Sequence, residues 1–130
     1  MAQKFQLEPL VGTEAFTYRV GTTAAPLVNA DRGKAVTLAA ENQMNLAAAG
    51  EEIYGFLSSV EMGTMDGFVI GGVREQDFHR VDTGDAVVGD LVEVVSNPAS
   101  GTEGLTVVKK AVGTPIISWV VVRPGLIKRL

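Results

Sequence analysis

Turn-forming sequences recur along this chain at short intervals and leave only short runs between them. They lie at residues 31–34, 62–67, 82–85, 96–104 and 113–115. The intervening runs are rich in valine, the most frequent residue of the chain, and valine favours strands. A turn about every 8–12 residues is typical of a small β-barrel or β-sandwich. The sequence therefore predicts a mainly β fold, a single small β-barrel or β-tulip-like domain with at most one short helix.

Length and residue types exclude several classes of protein. A chain of 130 residues is the size of one domain. It contains no cysteine, which excludes disulfides and thiolate metal sites. Its longest apolar run covers about eight residues, 115–122, whereas a membrane helix needs about 20. We therefore expect no membrane partner and, because residues 1–12 lack a long apolar stretch, synthesis in the cytoplasm without a signal peptide.

Charge is distributed unevenly along the chain, whose formal net charge is −4. Residues 41–103 carry a net −10, residues 104–130 a net +5 and residues 1–40 a net +1. The acidic middle would repel phosphates, so we expect no nucleic-acid partner. The basic end favours either an acidic partner surface or the acidic strands of the protein itself.

Three segments are predicted from the breakers and the alternation of apolar residues. Residues 1–30 are interpreted as an extended N-terminal arm that adds a strand to a neighbouring sheet, and the alternative is an ordinary first strand of the domain. Residues 31–122 form the β-rich body, and residues 123–130 form a basic C-terminal tail. The stretch 39–49 is ambiguous, because its alanines favour a helix whereas Asn42 and Asn45 favour turns. We expect at most one short helix there, ending at Gly50.

The triplet Asp82-Thr83-Gly84 matches the active-site triplet of aspartic proteases, in which two aspartates share a proton. A β-rich chain of this length would then act as a retroviral-type homodimer. The likeness ends at the triplet, because Asp85 follows it and the apolar pair with glycine lies upstream, at residues 69–71. A turn explains the triplet equally well, since aspartate and glycine favour turns.

His79 is the only histidine and has Asp77 and Asp82 close by in the sequence. A metal site would use these three side chains, but no second histidine or cysteine completes a structural zinc site. We interpret His79 as a solvated surface residue. Trp119 lies in an apolar run and is predicted to be buried in the core, and a subunit-interface anchor is the alternative. No catalytic residue, metal or cofactor is predicted.

Four motifs in the body resemble the small head decoration, or capsid cement, proteins of tailed bacteriophages. They occur in the family's order and lie within residues 31–122. These motifs are Gly33-Lys34-Ala35-Val36-Thr37-Leu38, Gly50-Glu51-Glu52-Ile53-Tyr54-Gly55-Phe56-Leu57, Gly71-Gly72-Val73, and Gly84-Asp85-Ala86-Val87-Val88-Gly89-Asp90-Leu91-Val92.

This resemblance implies a non-enzymatic structural protein of the virion, located on the outer surface of the phage head. Its partners would be the major capsid protein and further copies of itself, commonly as a homotrimer. We expect apolar arm residues to contact the capsid or a neighbouring subunit, and two basic residues of the tail to meet carboxylates. The arm residues are Phe5, Leu7, Leu10, Phe16 and Tyr18, and the tail residues are Lys128 and Arg129. A low-copy phage adaptor module is the alternative to a decoration protein.

Overall fold

The computed structural model describes residues 15–65 and 67–130, and within them the chain is a single small β domain. Its strands are β1 (Ala15–Val20), β2 (Ala35–Ala40), β3 (Gln43–Leu46), β4 (Gly55–Met65), β5 (Phe68–Arg74), β6 (Phe78–Arg80), β7 (Val92–Ser96), β8 (Val107–Lys110), β9 (Trp119–Arg123) and β10 (Leu126–Arg129). The helical content of these residues is one 3-10 turn, Asn29–Asp31. The predicted mainly β class is confirmed.

Five strands close into a barrel in the order β1-β3-β2-β4-β5. Neighbouring strands run antiparallel except β1 and β3, which are parallel. Alternate residues of each strand point into the barrel and form its core. This core is made of Val20, Leu27, Val36, Met44, Leu57 and Val73.

β1 belongs to the barrel, so the predicted boundary of the N-terminal arm at residue 30 is wrong. Phe16 pairs with Val73 of β5, and Val20 pairs with Met44 of β3. Val20 is fully buried because it fills the barrel interior. The alternative, a first strand of the domain itself, applies from Ala15 onward. Residues 1–14 of the arm prediction lie outside the described residues.

In the ambiguous stretch 39–49 the turn alternative is confirmed, because Asn42 lies in the turn of a β-hairpin and no α-helix forms there. Strands β2 and β3 pair antiparallel, with Val36 opposite Leu46. The turn between them includes Asn42 in the left-handed conformation, with φ of 56°. Asparagine tolerates that conformation well, and closing the barrel outweighs the helical preference of the neighbouring alanines.

A second layer packs on the outside of the barrel. It consists of a three-stranded sheet in the order β9-β10-β6 and the two-stranded hairpin β7-β8. The predicted C-terminal tail, residues 123–130, is wrong, because Leu126–Arg129 forms the central strand of that sheet. Ile127 of this strand is fully buried.

A second hydrophobic core lies between the barrel and the outer layer. Its largest member, Trp119, is fully buried and donates its indole N–H to the carbonyl oxygen of Ile53 at 2.9 Å. Burial within one chain leaves none of the Trp119 side chain for a subunit interface. The Trp119 ring meets the edge of Phe56, with 5.2 Å between ring centroids. Phe56 of β4 points outward into this core, whereas Leu57 points into the barrel.

Two glycines on the facing strands β4 and β5 allow those strands to approach closely. A Cβ atom on Gly55 would lie 2.5 Å from the carbonyl oxygen of Arg74, and one on Gly71 would lie 2.5 Å from that of Ser59. Such contacts are far inside van der Waals distance, and both neighbours are backbone atoms that cannot rotate away. The glycines at these two positions are therefore required by the strand packing.

A buried ion pair joins the 3-10 turn to β2 and to the loop of residues 97–104. Lys34 Nζ lies 2.6 Å from Asp31 Oδ1, and both side chains are fully buried. Lys34 also donates to the carbonyl oxygen of Ala99, and Asp31 accepts from the Ser100 hydroxyl and the Gly101 N–H. Burial by itself favours the neutral carboxyl, but these hydrogen bonds outweigh it and hold the pKa of Asp31 below its ordinary value.

A second buried polar cluster fixes the end of the same loop. The Asn97 side-chain amide donates to the carbonyl oxygens of Ala35 and Ala47, at 3.1 and 2.8 Å. The Thr106 hydroxyl donates to Asn97 Oδ1 and accepts the N–H of Ala35. The loop is therefore held against the start of β2 by hydrogen bonds that are partly or fully buried.

Removing the charge of Lys34 tests the role of the buried pair. Lys34→Met leaves Asp31 buried without its partner, and we expect a loss of about 3–5 kcal/mol in the free energy of unfolding. Urea denaturation at neutral pH measures this loss. The matched control is Lys109→Met. Lys109 is largely exposed, and its Nζ lies 3.8 Å from Glu93 Oε2. The expected loss for this variant is about 0–1 kcal/mol. Equal urea midpoints for the two variants would contradict the structural role of the buried pair.

Gly71→Ala tests the close approach of β4 and β5. Because the added methyl group meets a backbone carbonyl, we expect a loss of about 1–3 kcal/mol in thermal or urea stability. Gly113→Ala is the control, since a Cβ at Gly113 faces open space. A Gly71→Ala variant as stable as Gly113→Ala would show that the strands tolerate a wider separation.

Candidate binding surface

The three-stranded sheet has one buried face and one face toward solvent. His79, Ile127 and Trp119 occupy neighbouring positions on the buried face. Because side chains alternate along a strand, the residues between them point outward. We call these the outer sheet face, and they are Phe78, Arg80, Val120, Leu126 and Lys128.

The outer sheet face combines an exposed aromatic ring with positive charge. Phe78 is 51% exposed, and Lys128 Nζ lies 5.8 Å from the centroid of its ring. Arg80 is also exposed, whereas Val120 and Leu126 are half-buried. An exposed aromatic beside cations is the composition that protein interfaces use for their anchors, and it favours a partner surface that carries carboxylates.

Side chains from β1 and β10 fix the turn that precedes Phe78, because both bind Glu75. Tyr18 of β1 donates its hydroxyl to the carboxylate of Glu75, and Arg129 of β10 donates to the Glu75 carbonyl oxygen at 2.9 Å. Burial, together with the hydrogen bond and negative charge of Glu75, raises the pKa of Tyr18 to about 12. Tyr18 and Arg129 therefore hold the surface in place through the Tyr18 hydroxyl and Arg129 Nη1.

The other residues predicted to contact a partner have different positions. Lys128 is exposed on the outer sheet face, as a contact residue must be. Phe16 is 48% exposed on β1 of the barrel. Phe5, Leu7 and Leu10 lie outside the described residues. The sequence patterns did not identify Phe78 and Arg80 as contact residues. The signal that could have done so is the pairing of residues 78–80 with residues 126–128, in which side chains alternate between the two faces of the sheet.

His79 is not the solvated surface residue that the sequence suggested. Its ring stacks on Phe56, with 4.2 Å between centroids, and meets the ring of Trp119 at 5.6 Å. Its Nε2 lies 2.9 Å from the carbonyl oxygen of Gln76. Burial lowers the pKa of His79, and the opposing effects of the Gln76 hydrogen bond and the Asp77 charge do not restore it.

The triplet Asp82-Thr83-Gly84 serves a turn. Asp82 Oδ1 accepts the N–H of Gly84 at 3.0 Å, and Gly84 has a φ of 51°. Thr83 is buried, and its hydroxyl oxygen accepts the N–H of Gly125 from the turn between β9 and β10. These contacts account for all three residue types through local backbone geometry.

Two further observations concern the part of the chain that the structure describes. No three His, Asp or Glu side chains there form a group that would hold a metal ion. No helix within residues 15–65 and 67–130 is long and apolar enough to cross a bilayer.

The chain has no significant match among protein-family models, curated proteins or solved structures.

His79→Phe tests the effect of the buried imidazole on stability. A histidine whose pKa is lowered in the folded state stabilises the fold fully above its unfolded pKa of about 6.5, and this contribution is lost as pH falls below it. We expect the urea midpoint of the wild type to decrease as the pH is lowered from about 7.5 to about 5.5. The midpoint of His79→Phe should stay nearly constant over the same range. A decline of equal size in both proteins would assign the pH dependence to other groups.

Proposed function

We propose that this chain is a non-enzymatic capsid decoration protein. It binds the outer surface of an assembled phage head and stabilises the head by clamping neighbouring major capsid subunits. The observation that carries the proposal is the outer sheet face, where Phe78 and Lys128 form an exposed aromatic and basic contact on a rigid sheet. The ordered series of sequence motifs supports the same assignment.

Residues of these motifs have structural roles in the fold. Lys34 belongs to the buried ion pair, and Gly55 and Gly71 permit the close packing of β4 and β5. Gly84 and Gly89 occupy left-handed positions, with φ of 51° and 94°. The motif resemblance therefore concerns the architecture of the body, and it supports a shared fold type more directly than a shared contact residue.

Clamping requires that one molecule hold more than one capsid subunit. In the proposed homotrimer, three outer sheet faces are presented together, and each bound copy raises the effective concentration of the others at the shell. The apolar residues Phe5, Leu7, Leu10 and Phe16 add contacts to the capsid or to a neighbouring copy. Lys128 meets carboxylates of the capsid surface. The protein is made in the host cytoplasm and resides on the head of the virion.

Co-sedimentation with undecorated heads of the encoding phage tests this function. We expect the wild-type protein to saturate the heads in a fixed ratio to the major capsid protein. Lys128→Glu should weaken binding about tenfold or more, because a carboxylate then faces carboxylates. Lys110→Glu, an equal charge change at an exposed position of β8, is the control and should bind like the wild type.

Binding of only a few copies per head would replace the decoration function with the low-copy adaptor. Complete absence of binding would reject both. Equal weakening by Lys128→Glu and Lys110→Glu would show that net charge, and not the outer sheet face, governs attachment. Replacing Phe5, Leu7 and Leu10 with serine in the full chain separately tests whether those residues contribute.

A further inference from the structure

A cleft of about 430 Å³ lies beside the outer sheet face, over the start of β4. Its floor is formed by residues 56–58 of β4, and Phe78 and His79 form part of one wall. On that flank Arg74 pairs with Phe56 across β4 and β5. On the other flank Gly33 donates its N–H to the carbonyl oxygen of Leu57 at 2.7 Å. The cleft is therefore bounded by two segments that are held to opposite sides of the same strand.

Each flank contributes one arginine to the lining of the cleft. Arg32 is exposed and precedes Gly33, and Arg74 is half-buried at the end of β5. Arg74 Nη1 lies 3.8 Å from Asp77 Oδ2. Both members of this pair are partly exposed, and such pairs contribute little. The carboxylate of Glu75 is engaged by Tyr18.

We propose that this cleft binds an acidic segment of a partner polypeptide, with carboxylates of that segment paired to Arg32 and Arg74. Guanidinium groups bind carboxylates with two parallel hydrogen bonds, which gives such pairs geometric specificity. The exposed ring of Phe78 at the cleft wall covers the apolar part of the bound segment. This inference rests on the proposed function only for the identity of the partner, which is then the major capsid protein. The chemistry of the cleft is independent of that function.

Charge complementarity identifies the occupant. The side chains lining the cleft include two cations and no carboxylate, and Arg80 and Lys128 on the adjoining outer sheet face add two more positive charges. A polypeptide rich in aspartate or glutamate matches this field, whereas a basic segment would be repelled. Phe78, which also lines the cleft, favours a polypeptide over a small inorganic anion, because a polypeptide has apolar groups to place against its exposed ring.

Isothermal titration of the full chain with a hexaglutamate peptide at low ionic strength tests the proposal. Arg32→Gln and Arg74→Gln should each weaken binding about tenfold, since each removes a charge-assisted contact. Arg123→Gln is the matched control, because Arg123 is exposed at the end of β9 and its loss changes the net charge equally. It should leave binding within about twofold of the wild type at this ionic strength.

Asp77→Asn supplies a test with the opposite sign. Asparagine tolerates the left-handed conformation of this position, φ of 82°, and its side-chain oxygen still accepts the Phe78 N–H. The substitution removes the carboxylate that competes for Arg74, so we expect hexaglutamate to bind about threefold more tightly. A variant that only disturbed the fold would bind more weakly.

Three results would overturn the cleft as an acidic-segment site. They are unchanged binding in both Arg32→Gln and Arg74→Gln, equal weakening in Arg123→Gln, and weaker binding in Asp77→Asn. If hexaglutamate binds with the expected pattern but the protein does not bind phage heads, the proposed function fails and the cleft assignment stands. If heads are decorated and hexaglutamate does not bind, the cleft assignment fails alone.

Discussion

The buried pair of Asp31 and Lys34 is the interaction on which much of the remaining structure depends. Two opposite charges without exposure to water are stable only when hydrogen bonds compensate for their lost hydration. Here backbone groups of Val28, Ala99 and Gly101 and the Ser100 hydroxyl supply such bonds. Satisfying the pair requires the loop around Ala99 and Gly101 to lie against the start of β2. The pair therefore determines where the second layer meets the barrel, as well as contributing to stability.

Strand β4 connects the barrel to the candidate binding surface, because it contributes to both hydrophobic cores. Phe56 and Leu57 point to opposite sides, so one strand is a wall of both hydrophobic cores. The outward ring of Phe56 stacks on His79 of β6. This contact places the face of the sheet that carries His79 and Ile127 against the barrel. The outer sheet face is exposed because its opposite face is packed against the barrel. Trp119 and Ile127 are fully buried beneath it and support the sheet from the core side.

Several elements were predictable from the sequence, and the errors have identifiable causes. Strand β2 can be recognised in the sequence, because Val36 and Leu38 alternate with smaller or polar residues, which is a local pattern. The helical preference within 39–49 comes from alanine propensity, which is weaker than the pairing that closes the barrel. The basic residues of 123–130 favour a tail, although Ile127 occupies a core position. Predicting that required knowledge of which strands lie beside it.

The sequence by itself determined the mainly β class and the position of most turns, because strand propensity and glycine or aspartate in turns act over a few neighbouring residues. Only the tertiary structure decided which charged residues are buried and which remain available to a partner. Asp31 and Lys34 resemble an ordinary surface turn, and Arg32 and Arg74 are far apart in the chain. Their different environments arise from pairing between distant strands, which no local pattern encodes.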